Sequence, residues 1–206
     1  DKKTVSGRFL FGFDDLVSIF YFGEWLKGFW FRNGKTILDA LNYAWDEYPG
    51  IREICDRFDE RLCRDAEPFG EDYLLLLRAA LRQSVGAHKL VEDSRGRLLF
   101  LSKECNSDGC IATADVSYPS MPLYLYYAPE LVVGMIRPIL DFAEMPVWEF
   151  DFAPHDAGVY PFCLGQLYAV ENSEDKYCPE AYMQDWGKME SLPFYYLFPS
   201  GTGVYG

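Results

Sequence analysis

Apolar residues follow two different rhythms along this chain, and the change between them divides it. Near the start they crowd together. Phe9 to Gly23 (FLFGFDDLVSIFYFG) is aromatic on both sides of Asp14-Asp15, which predicts strand, turn and strand. Such a pair is too small to stand alone, so it reads as the end of a β-rich region. Gly28 to Lys35 is a turn-rich bridge. From Thr36 to Ala66 the spacing changes to three and four: Leu38, Leu41, Trp45, Tyr48, Ile51, Ile54 or Cys55, Phe58 and Leu62 predict a long helix. Thr36 can cap it, with Asp39 as a weaker form of the capping box. Pro49-Gly50 interrupts it, giving two helices or one kinked helix. The charges between the apolar positions, among them Asp46, Glu53, Arg57 and Glu60, read as a solvated face.

The same spacing predicts a second helix over Glu71 to Val91, with a stripe of Leu74, Leu77, Leu81 and Val85. Ser84 and His88 share that stripe, and His88 reads as a satisfied core histidine. Asp93 to Gly96 is a turn and Arg97 to Ser102 a short strand. Tyr118 to Tyr127 reads as a short helix with Pro119 and Pro122 in its first turn. Pro129 opens another helix to Glu144, striped by Leu131, Met135, Ile139 and Phe142 and bent at Pro138. Trp148 to Tyr168 is irregular. Glu171 to Gly206 reads as an insertion with a helix around Pro179 to Met189.

Composition narrows the class. Hydrophobic residues make up 50% and aromatics 17%, which excludes disorder and implies a large buried surface. The aromatic load suits either an aromatic core or a cleft for a sugar or another small polar ligand. A net charge of −13 opposes nucleic acid and anionic membranes. No apolar run reaches the roughly 20 residues of a membrane helix. No secretory leader is recognised, and the compartment stays open between cytoplasm and exterior. The 6 cysteines form no CxxC pair and there are only 2 histidines, so no metal site and no cofactor are expected. Cys105 and Cys110 either clasp their loop or are isolated thiols.

Two segments fit neither rhythm. One is Ser102 to Ser120 (SKECNSDGCIATADVSYPS); the other is Ala153 to Pro161 (APHDAGVYP). Irregular backbone buries little and costs entropy, so such segments often exist for a site. If the intervening helices fold back, Lys103, Glu104, Asp115, His155, Asp156 and Tyr160 come within reach of one pocket. Each has a plainer reading too. Asp115 can cap the following turn, and Asp156 can tie its loop through backbone N–H groups. Gly109 and Gly158 read as backbone devices.

These runs resemble the glutaminase A-type family of fungi and bacteria. The family pattern is close to SKE-x-x-S-x-G-x-I-x-T-x-D-V-x-YP-x-x-P, followed by HD-x-G-x-YP-x-x-x-GQ. The chain matches at Ser102, Lys103, Glu104, Ser107, Gly109, Ile111, Thr113, Asp115, Val116, Tyr118, Pro119 and Pro122, then at His155, Asp156, Gly158, Tyr160, Pro161, Gly165 and Gln166. The family's later MP-x-E-E/D-x-GNM segment is absent. The resemblance implies a mainly α fold: part of an α/α toroid of the six-hairpin glycosidase type, with a short β remnant at the N-terminus. Residues 1–35 would close a β-sandwich-like region, 36–70 would be linker helices, and 71–206 would open the toroid.

It also implies hydrolysis of the side-chain amide of glutamine. That reaction needs a base, a proton donor for the leaving amine and an oxyanion site. Ser102 and Lys103 are adjacent in extended chain and point to opposite faces, which disfavours a nucleophilic pair. Paired carboxylates fit better, with Glu104, Asp115 and Asp156 catalytic and His155, Lys103 and Tyr160 binding a small polar substrate, glutamine or sugar. A glycoside hydrolase and a non-catalytic carbohydrate- or partner-binding fragment remain alternatives. An incomplete ring would leave apolar stripes open to self-association or to the remainder of a parent protein.

Overall fold

The computed structural model describes residues 7–104, 109–148 and 150–166. The expected helix around Pro179 to Met189 and the Cys105–Cys110 clasp lie outside the described residues. The chain divides into two compact units, residues 1–16 with 29–82 and residues 17–28 with 83–206.

The first unit contains α1 (Ile37–Asp46) and α2 (Tyr48–Ala66). Thr36 and Asp39 make the complete capping box: the Thr36 hydroxyl accepts the Asp39 N–H, and the Asp39 carboxylate accepts the Thr36 N–H at 2.7 Å. The helices part at Glu47, so Pro49 sits in the first turn of α2, where its missing N–H is harmless. Ion pairs such as Arg52–Asp56 lie four residues apart on α2, as a solvated face predicts. The apolar stripe is less covered than its spacing suggests: Leu38 and Ile54 are exposed, and only Leu62 and Ala66 are buried in α2.

The expected strand over Phe9 to Asp14 does not form. Gly12 instead lies against Leu41 and Ile37 of α1, and Phe9, Phe11 and Phe13 face outward. A strand needs a partner ladder, and this segment pairs with none among the described residues. Asp14 then accepts the Leu16 N–H at 2.7 Å, a local turn that ends the run. Helix α3 (Glu71–Gly86) crosses the division between the units. Three members of its expected stripe, Leu74, Leu77 and Leu81, are half-buried with Leu75 and Leu76 outside, but the fourth, Val85, is exposed.

The second unit is built on two small sheets. β1 (Ile19–Tyr21) lies between β2 (Glu24–Leu26), antiparallel, and β5 (Phe162–Cys163), parallel. The second sheet is a hairpin of β3 (His88–Glu92) and β4 (Leu98–Ser102), paired from His88↔Ser102 to Glu92↔Leu98. The helix expected to Val91 therefore ends at Gly86. The adjacent Leu90 and Val91 break the helical spacing and suit a half-buried strand. Asp93 fixes the turn by accepting the N–H groups of Arg95 and Arg97.

Strand β4 is buried on both faces. Leu99 and Leu101 join Ile19, Tyr21, Val91, Ile111 and Ile139 in one cluster, while Phe100 joins Tyr124, Val132 and Met135 in another. The helices over it are α4 (Ala114–Ser117), α5 (Met121–Tyr127) and α6 (Pro129–Ala143). α6 carries the expected stripe of Met135, Ile139 and Phe142, with Pro138 inside the helix. Its backbone presses on the strand: a Cβ on Gly134 would come within 2.9 Å of the Phe100 nitrogen.

Candidate functional site

The two irregular segments are laced together by backbone hydrogen bonds. Ile111 N–H donates to Gly158 O at 2.7 Å and Ala157 N–H to Ile111 O at 2.9 Å. Ala114 N–H donates to His155 O at 2.8 Å, and Tyr160 N–H to Gly109 O at 3.0 Å. Ile111 and Ala157 between them are fully buried. Irregular chain survives in a core only when its polar groups are paired this way. Gly158 is required at its position. Its φ is +117°, and a Cβ there would meet Phe162 O at 2.5 Å.

The lacing creates a cleft of ≈ 170 Å³ lined by Glu104, Thr113, Asp115, Val116 and His155. Each wall has a local cause. Glu104 follows β4, with its N–H on Cys110 O, and its carboxylate accepts the Thr113 hydroxyl at 3.3 Å. Asp115 stands in the first turn of α4, where the helix dipole favours a negative charge. Beneath it, the Ser102 and Ser117 hydroxyls meet at 2.8 Å in a buried contact joining β4 to α4. His155 is set by its backbone N–H on the Gln166 side-chain oxygen at 2.7 Å.

The imidazole of His155 lies between two carboxylates. Nδ1 is 3.1 Å from Asp156 Oδ2, and Nε2 is 3.4 Å from Asp115 Oδ1. The two acids differ in setting. The Asp156 side chain is 0% exposed and the Asp115 side chain 78% exposed. Asp156 also accepts the Gly158 N–H at 2.9 Å through Oδ1.

Of the six residues expected to share a pocket, Glu104, Asp115 and His155 line it. Asp156 stands behind His155 rather than in the lining. Lys103 and Tyr160 meet each other, with the ammonium 5.1 Å from the ring centroid, and neither is a lining residue. Thr113 and Val116 also line the cleft; in the sequence they stand as motif matches and not as site residues, and their place around Asp115 in that motif is the available signal. No group of His, Cys, Asp and Glu able to hold a metal is found among the described residues. No helix among them is long and apolar enough to cross a membrane.

A second cleft, of ≈ 210 Å³, opens between β1, the β3–β4 turn and the end of α6, lined by Tyr21, Phe22, Glu24, Arg95, Asp141, Glu144 and Met145. Asp141 accepts the Tyr21 hydroxyl at 2.7 Å and the Arg97 guanidinium through both oxygens. Burial pulls the Arg97 guanidinium down, but its bonds to Asp141 and Asp93 outweigh this and hold it raised. Burial likewise pushes the Tyr21 phenol well up.

His88 is only half satisfied. Its Nδ1 contacts Ser84 O at 2.6 Å and its ring stacks on Phe100, but Nε2 is buried without a hydrogen-bond partner among the described residues. Burial lowers its pKa.

Comparison with known proteins bears on the same segments. Glutaminase A of Aspergillus oryzae is 29% identical over 142 residues, covering 68% of this chain and 20% of that protein. A probable glutaminase of Arthroderma benhamiae is 28% identical over 155 residues, covering 75% of this chain and 18% of its own. The chain thus spans about a fifth of the length of the curated relatives it matches. No solved structure matches it. The model of the glutaminase A six helical-hairpin domain matches residues 70–179. That stretch holds both motif segments and every residue lining the first cleft, and the chain belongs to the glutaminase A six helical-hairpin family.

Proposed function

We propose that this chain carries the catalytic cleft of a glutaminase-type hydrolase that cleaves the side-chain amide of L-glutamine, within a domain whose helices form part of an α/α toroid. The observation that carries the reading is the meeting of Glu104, Asp115 and His155 in one cleft. The relatives' names supply the substrate class; the residues supply the chemistry.

Hydrolysis adds water to the amide carbon and expels ammonia. One group must take a proton from the water and another must give one to the leaving nitrogen. Glu104 is held by the Thr113 hydroxyl, and Asp115 reaches the open cleft beside the His155 imidazole, so the two carboxylates and the ring are the groups that share these tasks and steady the charge they develop.

The test is turnover by the intact protein that carries this chain, offered glutamine and a panel of glycosides. Ammonia release from glutamine is expected, falling by about 10²–10⁴-fold in Glu104→Gln and in Asp115→Asn. Turnover of a glycoside but not of glutamine would move the site to sugar chemistry. Binding of either ligand without turnover would make this a binding fragment.

A further inference from the structure

We infer that His155 is the proton carrier of this cleft and that Asp156 is its positioning residue. This reverses the roles that residue type alone suggests, and it rests on the hydrolase reading above. The argument turns on which carboxylate holds the imidazole. Asp156 is fully buried and lies 3.1 Å from Nδ1; Asp115 is mostly exposed and lies 3.4 Å from Nε2. A hydrogen bond to a buried carboxylate is strengthened by its low-dielectric surroundings, and one to a solvated carboxylate competes with water. Asp156 therefore wins the ring N–H. Its other oxygen takes the Gly158 N–H, so the carboxylate cannot swing away without breaking the turn.

With the proton fixed on Nδ1, Nε2 presents its lone pair to the cleft. That is the arrangement a general base needs, with a buried acid holding the tautomer. The step balances as follows. Nε2 takes a proton from water as the water oxygen bonds to the amide carbon. The resulting imidazolium lies between Asp156 and Asp115, and both stabilise it. It then returns the proton to the amide nitrogen as the C–N bond breaks, releasing ammonia and leaving the acid.

The tautomer can be read directly. The chain has only 2 histidines, so two-bond ¹H–¹⁵N spectra of the 206-residue chain, with His88→Phe for assignment, isolate His155. In the neutral ring the proton is expected on Nδ1. In Asp156→Asn the amide oxygen stays on the Gly158 N–H and its NH₂ faces Nδ1, so the proton should move to Nε2. In Asp115→Asn it should stay on Nδ1. A wild-type proton on Nε2, or an unchanged tautomer in a folded Asp156→Asn, overturns the inference. If that variant does not fold, the wild-type and Asp115→Asn spectra still decide.

In the intact protein, Asp156→Asn is expected to lower kcat by about 10²–10⁴-fold with KM nearly unchanged. A fall confined to KM overturns the positioning role. An Nδ1 proton without glutamine turnover would sink the hydrolase reading and leave the tautomer assignment standing. Turnover with the proton on Nε2 would do the reverse.

Discussion

Two clefts in the same unit are lined by carboxylates, and they treat them in opposite ways. In the second cleft Asp141 is tied to Tyr21, Arg95 and Arg97, and Arg97 is also clamped by the buried Asp93. In the first, Asp115 stands mostly in solvent and faces an imidazole, and Glu104 accepts a threonine hydroxyl at the edge of the cleft. A carboxylate whose oxygens are filled by guanidinium is a structural fastening. A carboxylate left facing an imidazole and open space can support a proton transfer by steadying the charge on the ring. Acidic residues near a cavity are therefore poor guides until their partners are counted.

The sharpest way to break this contrast is to remove a fastening. Arg97→Met would leave buried Asp93 with only the more distant Arg95 guanidinium, at 3.5 Å, and loss of one partner of a buried pair costs about 3–5 kcal/mol. Arg97 is a quarter exposed, so about 3 kcal/mol is expected from urea denaturation. Asp115→Asn in the first cleft should change stability by no more than about 0.5 kcal/mol. Equal effects would erase the distinction.

A smaller loss is expected at the turn beneath the first cleft. Gly158→Ala places a Cβ against Phe162 O and forces a positive φ, which should cost about 2 kcal/mol by denaturation. The smallest effect is a pH slope. His88 has a folded pKa below its ordinary 6.5, because burial disfavours its charged form. As pH falls below about 6.5 the unfolded chain takes up a proton that the fold resists, so stability is full above that pH and declines through the lowered value. Denaturation midpoints should fall with acidification over this window, and the His88 contribution to that slope should vanish in His88→Phe.

The legible parts were local. The Thr36–Asp39 box and the Met135, Ile139 and Phe142 stripe depend on neighbours three or four residues away, which spacing exposes. The two motif segments were legible as exceptions, since neither period fits them, and three of their candidates do line one cleft. What failed depended on distant partners. His88 to Val91 continues a leucine-rich helix on paper, and only the ladder to β4 makes it strand. Phe9 to Asp14 looks like strand but finds no ladder. The Lys103–Tyr160 contact and the burial of Asp156 behind His155 arise from how the segments are laced, which no spacing records.

The β1–β5 pairing has a practical consequence for anyone cutting this chain. Residues 17–28 belong to the second unit although residues 29–82 separate them from the rest of it. A clone begun at residue 70, where the family match starts, would delete Ile19 to Leu26. It would strip Phe162 and Cys163 of their only strand neighbour among the described residues and open the cluster around Leu99 and Ile111. The residues just before that strand include His155 and Asp156. Boundaries drawn from the family match alone would therefore yield a product with a frayed site, whereas a start ahead of Val17 keeps the strand beside it.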